Sequence, residues 1–235
     1  MPLVSVVMPV YNNEKYVGEA VESILNQTFK DFEFIIVNDG STDNTLNAIE
    51  GFNDKRIRII SFPSNSGIVD ALNEGVKVSA GKYIARQDSD DISLPERLEK
   101  QIRAFEAAQG LVLVATQIRV VSDIPAFDTQ SLEDYFSRVT TREGIRNEFT
   151  NCSNPICHPT VMFRKDTFDK LGGYRKEYEF AEDMDLWFRM IKAGDMEKVP
   201  EKLVVYRRHP GAVCIARSEK TSRSYDHVQS WIKGQ

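Results

Sequence analysis

The sequence has few cysteines and no long apolar run. Only Cys152, Cys157 and Cys214 occur among 235 residues, and an odd, sparse set does not build a disulfide framework. We expect reduced thiols. The alternative is a metal site from Cys152, Cys157 and His158, although this spacing matches no zinc pattern. No apolar stretch reaches the roughly 18 residues that span a bilayer.

The first residues also lack the basic segment and the small-residue cleavage site of a signal peptide. We therefore expect a cytoplasmic protein, and docking to the cytoplasmic face of a membrane stays open. Positive charge is scarce as well, because 30 Lys and Arg face 35 Asp and Glu, a formal net charge of −5. Domains that bind nucleic-acid backbones are usually basic, so we expect no nucleic-acid partner.

Strands and helices alternate along the first half. Apolar runs predict strands over residues 3–10, 32–37, 56–61 and 83–85, and amphipathic patterns predict helices over 14–25, 43–52 and 68–76. Ser93 and Glu96 form a capping-box pattern that predicts a fourth helix. This alternation indicates an α/β fold with a doubly wound, mostly parallel sheet. A Gly-x-Gly-x-x-Gly segment is missing after the first strand, which argues against a dinucleotide site.

The second half is less regular. The pattern predicts strands over 111–121, 159–164 and 203–206, and helices over 131–138, 142–149, 182–192 and 218–233. We predict one domain over residues 1–215, with a nucleotide-binding half at 1–110 and an acceptor-binding half at 111–215. A C-terminal helix or tail follows at 216–235. The polar stretch from 122 to 157 indicates no particular function.

Acidic residues follow the predicted strands where they end. Asp39 comes after the second strand, and Asp88, Asp90 and Asp91 come after the fourth. Ligands of open α/β sheets bind at this edge. Each aspartate alone is compatible with a turn or a helix cap, as we expect for Asp43. Four converging carboxylates repel, and a divalent cation such as Mg²⁺ or Mn²⁺ relieves the repulsion. In an acidic protein, such a cation suggests a diphosphate ligand.

Two further groups of polar residues are candidates. Glu182 and Asp183 open a predicted helix, where carboxylates are stabilised by the helix dipole. They either cap the helix, or Asp183 acts as a general base toward an acceptor hydroxyl. Arg207, Arg208 and His209 follow a predicted strand. These residues suit a phosphate or a metal. His209 is equally compatible with a surface-loop histidine that binds neither.

Several segments carry a resemblance to a known family. They are Val-Ser-Val-Val-Met-Pro-Val-Tyr-Asn at 4–12, Ile-Val-Asn-Asp-Gly-Ser-Thr-Asp at 36–43, Gln-Asp-Ser-Asp-Asp at 87–91, Ala-Glu-Asp-Met-Asp-Leu-Trp at 181–187 and Tyr-Arg-Arg-His at 206–209. In this order they resemble glycosyltransferase family 2, inverting enzymes of the GT-A fold, over about residues 3–210. The resemblance implies transfer of a sugar from a nucleotide-diphosphate donor, usually a UDP-sugar, to a saccharide or lipid-linked acceptor in polysaccharide or glycolipid synthesis.

The resemblance also implies roles for the matching residues. Asp183 is the expected general base, flanked by Glu182, and the expected metal contacts are Asp90 and His209. Trp187 either lines the acceptor pocket or belongs to the core, and His158 is either structural or on the acceptor side. The expected nucleotide and donor contacts are Pro9, Tyr11, Glu14, Asp39, Asp88, Asp91, Arg207 and Arg208.

Two alternatives are open at this point. A sugar-phosphate nucleotidyltransferase would share the need for a metal and a nucleotide. Such enzymes usually carry a glycine-rich, basic loop after the first strand, where this chain has Tyr-Asn-Asn-Glu at 11–14. The other alternative is a catalytically silent protein that binds nucleotide sugars, against which the presence of both Asp90 and Asp183 argues.

Overall fold

The fold is built on one eight-stranded sheet. The computed structural model describes residues 1–216 and 218–234, with the side chains of Val213, Cys214 and Ser218 also outside the description. The strands are β1 (Val4–Val10), β2 (Phe32–Asn38), β3 (Ile57–Ser61), β4 (Tyr83–Arg86), β5 (Ile92–Ser93), β6 (Leu111–Ser122), β7 (Met162–Arg164) and β8 (Asp195–Arg208). Their order across the sheet is β3-β2-β1-β4-β7-β6-β8-β5.

The first four strands confirm the predicted doubly wound half. β1 pairs in parallel with β2 and β4, and β2 pairs in parallel with β3. Every residue of β1 is buried, and its side chains alternate between two core clusters. A strand that is buried on both faces is apolar throughout, which is why the sequence revealed it. The helices of this half are α1 (Val17–Leu25), α2 (Thr45–Glu50), α3 (Ile68–Lys77) and α4 (Arg97–Ala107).

The predicted capping box is wrong. Ser93 lies in β5, which pairs antiparallel with β8, and α4 begins only at Arg97. The Ser93 hydroxyl donates to Gln87 Oε1 at 2.6 Å and accepts from Arg97 Nη1 at 2.7 Å. Arg97 is fully buried, and its guanidinium needs acceptors in the interior. The Ser93 hydroxyl therefore accepts a hydrogen bond from Arg97 and does not cap α4.

The second half follows the prediction closely in its helices. α5 (Thr129–Ser137) and α6 (Arg142–Thr150) are capped by Asp128 and Thr141, whose side chains accept hydrogen bonds from the first-turn amides. The segment predicted as a strand over 159–164 is a 3₁₀ helix (His158–Thr160) followed by the short β7. β7 is antiparallel to both β4 and β6, so the sheet is mixed. The predicted strand at 203–206 is the end of the 14-residue β8.

The remaining helices all lie in the second half of the chain. They are α7 (Lys165–Lys170), which the sequence did not predict, α8 (Glu182–Ala193), α9 (Val213–Ala216) and α10 (Ser218–Lys233), with a 3₁₀ helix at Lys176–Tyr178. α10 buries Val228 and Ile232 in the same cluster as α8, and Trp231 packs edge-on against Phe188 at 5.5 Å. The helix predicted over 218–233 is therefore present as α10, and it packs on the rest of the chain.

Candidate active site

One cleft collects most of the predicted site residues. It has a volume of about 660 Å³ and lies at the carboxyl ends of the parallel strands, with walls from α8, α10 and the segment after β8. Residues from both predicted halves of the chain meet there. The predicted residues that line it are Pro9, Tyr11, Asp39, Asp88, Asp90, His158, Glu182, Asp183, Arg207 and His209.

Asp39 fixes the loop at one end of the cleft. Its Oδ1 accepts a hydrogen bond from the Ser66 amide at 2.7 Å, and its Oδ2 accepts one from the Gly67 amide at 3.0 Å. Gly67 has a φ of +100°, a conformation that favours glycine. The loops after β1 and β2 are tied in turn by Asn12, whose Oδ1 accepts from the Thr42 amide at 2.7 Å. The floor of this end is thus shaped before any ligand binds.

Three aspartates form an acidic cluster after β4. Asp88, Asp90 and Asp91 each place a carboxylate oxygen within 4.8 Å of the others. His209 Nε2 lies 3.0 Å from Asp90 Oδ2. Asp91 is buried and accepts from the Arg207 amide at 2.8 Å, while its Oδ2 has no hydrogen-bond partner among the described residues. Carboxylate oxygens with an imidazole are ligands that suit Mg²⁺ or Mn²⁺.

Burial makes this cluster electrostatically costly. Burial raises the pKa of Asp91 well above its usual range, and the neighbouring Asp90 and Asp88 raise it further. Burial also raises the pKa of Asp88, against the opposing effect of Arg86. A bound cation would favour the ionised form of all these carboxylates. The residues present therefore fit a divalent metal, with Asp90, Asp88 and His209 at the cleft surface and Asp91 behind them.

Sequence reasoning missed Arg86. This arginine ends β4, lines the cleft, is only 3% exposed and forms an ion pair with Asp88. Although burial opposes its charge, the nearby Asp88 raises the pKa of Arg86 above the usual value. Its Nε has no hydrogen-bond partner among the described residues. A charged residue that ends an otherwise apolar strand is the signal that could have identified it.

Glu182 and Asp183 begin α8 and also line the cleft. Burial raises the pKa of Glu182 to about 8, and the neighbouring Asp183 adds to the effect. Burial also raises the pKa of Asp183 to about 6, but hydrogen bonds from the Met184 amide and from Asn154 oppose it. The environment thus favours ionisation of Asp183 over ionisation of Glu182.

His158 stands beside this pair. Its Nε2 lies 2.9 Å from the Tyr174 hydroxyl, and its Nδ1 lies 3.7 Å from Glu182 Oε1. Burial lowers the pKa of His158 well below its usual range, so the ring is neutral at physiological pH. Its polar contacts in the structure are with Tyr174 and Glu182, and its ring also reaches the cleft wall.

Four predicted residues do not line the cleft. Glu14 accepts from the Asn44 amide at 2.7 Å and so ties the loop after β1 to α2. Arg208 lies beside the Phe127 ring, 5.4 Å from its centroid, and donates to the Tyr206 hydroxyl at 3.2 Å. Trp187 is completely buried, which places it in the core. Asp91, the fourth of these residues, is the buried member of the acidic cluster.

The cysteines do not form the alternative metal site. Cys152 and Cys157 are free, buried thiols, and in the part of the chain that the structure describes no ligand cluster joins them to His158. Burial raises the pKa of Cys157 well above its usual range, so it stays protonated. The side chain of Cys214 lies outside the described residues.

A family model decides the assignment. The model described as "Glycosyl transferase family 2" matches residues 5–172. The chain belongs to glycosyl transferase family 2. Relatives of this glycosyltransferase include an uncharacterized glycosyltransferase of Haemophilus influenzae, 34% identical over 97% of this chain and 70% of the relative. The O-antigen biosynthesis glycosyltransferase WbnJ of Escherichia coli is 33% identical over 89% of this chain and 81% of the relative.

Solved structures confirm the GT-A fold of this family 2 chain. S. aureus TarS 1–349 superposes with a TM-score of 0.72 at 23% identity, over 88% of this chain and 60% of that one. The chain therefore spans less than two thirds of that solved protein. The mannosyltransferase PcManGT from Pyrobaculum calidifontis gives a TM-score of 0.66 at 18% identity, over 87% of this chain and 56% of that one. Among the described residues, no helix is both long enough and apolar enough to cross a membrane.

Proposed function

We propose that this glycosyltransferase moves a sugar from a UDP-sugar to an acceptor hydroxyl with inversion at the sugar carbon. The observation that carries the proposal is that one cleft holds two groups of carboxylates. The acidic cluster suited to a cation belongs to the part that we call the donor end, and Asp183 and Glu182 line the part that we call the acceptor end. One carboxylate that ionises more readily than its neighbour suits a base in a one-step displacement.

The donor end is proposed to bind the nucleotide diphosphate. Asp90, Asp88 and His209 would hold a divalent cation, which supplies charge compensation to the diphosphate when it is bound. Arg207 lines the same end, where its Nε donates to the Asp90 carbonyl at 3.1 Å. Two similar structures support this assignment, since TarS was solved with UDP-GlcNAc and PcManGT with GDP-Man and Mn²⁺.

The transfer step then needs a base at the other end. Asp183 takes the proton of the acceptor hydroxyl, and the acceptor oxygen forms a bond to the anomeric carbon. The bond from that carbon to the diphosphate oxygen breaks, and its electron pair leaves with the diphosphate. One displacement from the opposite face inverts the configuration. Glu182 holds its proton and therefore does not compete with Asp183.

The acceptor is proposed to be a saccharide or a lipid-linked saccharide in the synthesis of a surface polysaccharide or glycolipid. The name of the relative WbnJ, which refers to O-antigen biosynthesis, supports this class. Exposed Tyr135 and the helix α10 contribute to the cleft wall near Asp183 and give the acceptor side its own surface. A cytoplasmic location, with or without docking to a membrane face, is part of the same proposal.

A thermal-shift screen tests the donor assignment. Uridine and guanosine diphosphate sugars are each added with and without Mn²⁺, and the unfolding temperature is measured. A ligand at 100 times its dissociation constant stabilises the folded state by about 2.7 kcal/mol. We expect UDP-sugars to stabilise the protein only when Mn²⁺ is present. If no nucleotide sugar stabilises the protein with Mn²⁺ present, the proposal fails.

The stereochemical part has a separate test. With the identified donor, the anomeric configuration of the product is determined by NMR. A product of opposite configuration to the donor supports a single displacement by the acceptor, and a product of retained configuration overturns it.

A further inference from the structure

Asn154 lies in the stretch that the sequence left without a function, yet its side chain reaches the proposed base. It is only 6% exposed. Its Nδ2 donates to Asp183 Oδ2 at 3.0 Å, and its Oδ1 accepts from the Ile156 amide at 3.0 Å. These partners fix the amide orientation, because a flipped amide would face its oxygen to a carboxylate and its NH₂ to another N–H.

Three other elements hold Asn154 in place. The Tyr135 hydroxyl of α5 donates to the Asn154 carbonyl at 3.2 Å. The Tyr225 side chain of α10 lies beside the Asn154 side chain. The buried Lys198 of β8 donates to the next carbonyl, that of Pro155, at 2.9 Å. Residues from α5, α10 and β8 therefore converge on a short segment that would otherwise be a free loop.

We propose that Asn154 is a positioning residue for the transfer reaction, which holds the Asp183 carboxylate in one orientation and favours its ionised form. This inference rests on the proposed function, because it takes Asp183 as the base. A neutral amide donor stabilises a carboxylate without placing a positive charge beside the acceptor hydroxyl. Asn154 itself is not required to touch the substrate in this role.

The charged and titratable groups around Asp183 leave this task to a neutral donor. Among the described residues, Arg86 of β4 is a positively charged group that acts on Asp183, and it is already paired with Asp88. The other neighbours are a carboxyl, two phenols and a thiol, and burial raises the pKa of each above its usual range. They are Glu182 on α8, Tyr174 before the second 3₁₀ helix, Tyr225 on α10 and Cys157 before the first 3₁₀ helix.

The test is the pH profile of kcat/KM for the wild type, Asn154→Ala and Asn154→Asp. Loss of the amide donor removes a hydrogen bond to the ionised form of Asp183. The apparent pKa of the acid limb of the kcat/KM profile should therefore be higher by about one pH unit in Asn154→Ala. At pH 5 this corresponds to roughly tenfold lower kcat/KM, at pH 6 to roughly fivefold, and at pH 8.5 to less than about twofold. The nearly isosteric Asn154→Asp should move the limb further, because a second carboxylate repels the first.

Asn151→Ala is the matched control, since Asn151 is exposed, lies in the same segment and directly follows the last residue of α6. Its profile should coincide with the wild type. Donor binding to the Asn154 variants, measured by thermal shift, should be unchanged. An equal loss of activity at every pH, or an acid limb that does not move, overturns the positioning role.

Tyr225→Phe keeps the test valid even if Asn154→Ala does not fold. It removes only a hydroxyl that lies beside the Asn154 side chain, and we expect a smaller rise of the acid limb in the same direction. Asp183→Asn separates the two levels of the argument. If that variant is inactive but the Asn154 and Tyr225 variants keep the wild-type limb, the proposed function stands and the inference about Asn154 is wrong.

Discussion

Carboxylates of the same type serve different purposes in this cleft because their surroundings differ. Asp39 accepts two backbone amides and shapes a loop. Asp90 faces a histidine in a cluster suited to a cation. Asp183 receives an amide hydrogen bond that its neighbour Glu182 does not share. The local hydrogen bonds and burial, rather than the residue type, therefore determine how each carboxylate is held and how readily it ionises.

The pH dependence of the wild type follows from Asp183. Its pKa is raised by burial to about 6, and the base must be ionised to accept a proton. We expect kcat/KM to be constant near pH 7.5 and to fall about tenfold per pH unit once the pH drops well below 6. The measurement is kcat/KM at saturating Mn²⁺ between pH 5 and 8. A profile that stays flat down to pH 5 would show that another group acts as the base.

Asp90→Asn tests the metal site at the same scale. It removes one anionic ligand and leaves a side chain of the same shape, so we expect the apparent dissociation constant for Mn²⁺ to rise at least about tenfold. The measurement is Mn²⁺ binding by electron paramagnetic resonance. Asp195→Asn is the control, because Asp195 is exposed and pairs with Arg146 on the surface. Equal Mn²⁺ affinity of the wild type and Asp90→Asn would remove Asp90 from the site.

At the scale of elements, the predicted parts of the fold are those whose signal is local. β1 and β2 are apolar because they are buried on both faces, and α5 and α6 carry their own caps. β5 has only two residues and exists through its pairing with β8. Ser93 fails as a cap because a buried arginine uses its hydroxyl. Such contacts leave no periodic pattern in the sequence.

The same distinction applies to the site. The carboxyl-end rule correctly placed Asp39, Asp88 and Asp90 along one cleft, because it depends only on strand direction. Asp39 nevertheless lies outside the three-aspartate cluster. Glu14 was predicted in the cleft but bonds to the start of α2, a detail of loop geometry. Asn154 could not be predicted, since its role depends on a hydrogen bond to a residue 29 positions away and on packing of α5 and α10.

Packing of α3 on the sheet gives a test at this scale. A Cβ added to Gly75 would lie 2.5 Å from Val7 Cγ1, whereas one added to Gly18 of α1 would meet nothing within 4 Å. Alanine normally stabilises a helix relative to glycine by about 0.5–1 kcal/mol. We expect Gly18→Ala to raise the free energy of unfolding by about that amount, and Gly75→Ala to lower it by about 1–3 kcal/mol through overpacking. Urea unfolding measures both. Stabilisation by Gly75→Ala would contradict the described contact between α3 and β1.

At the scale of the whole molecule, the two halves of the chain build one cleft between them. The parallel half supplies Asp39 and the acidic cluster, and the second half supplies Glu182, Asp183 and the walls around them. α10 packs against this core, where it buries Val228 and Ile232, and it brings Tyr225 beside Asn154. Packing of the two halves thus brings both groups of carboxylates into one cleft.

The most direct test of this account is Asp183→Asn, for which donor binding and sugar transfer are measured on the same preparation. The asparagine keeps the shape of the side chain but does not accept a proton from the acceptor. We expect UDP-sugar binding with Mn²⁺ to stay within about twofold of the wild type and the transfer rate to fall at least about hundredfold. A variant that binds the donor normally and still transfers the sugar at a rate close to that of the wild type would contradict the central claim.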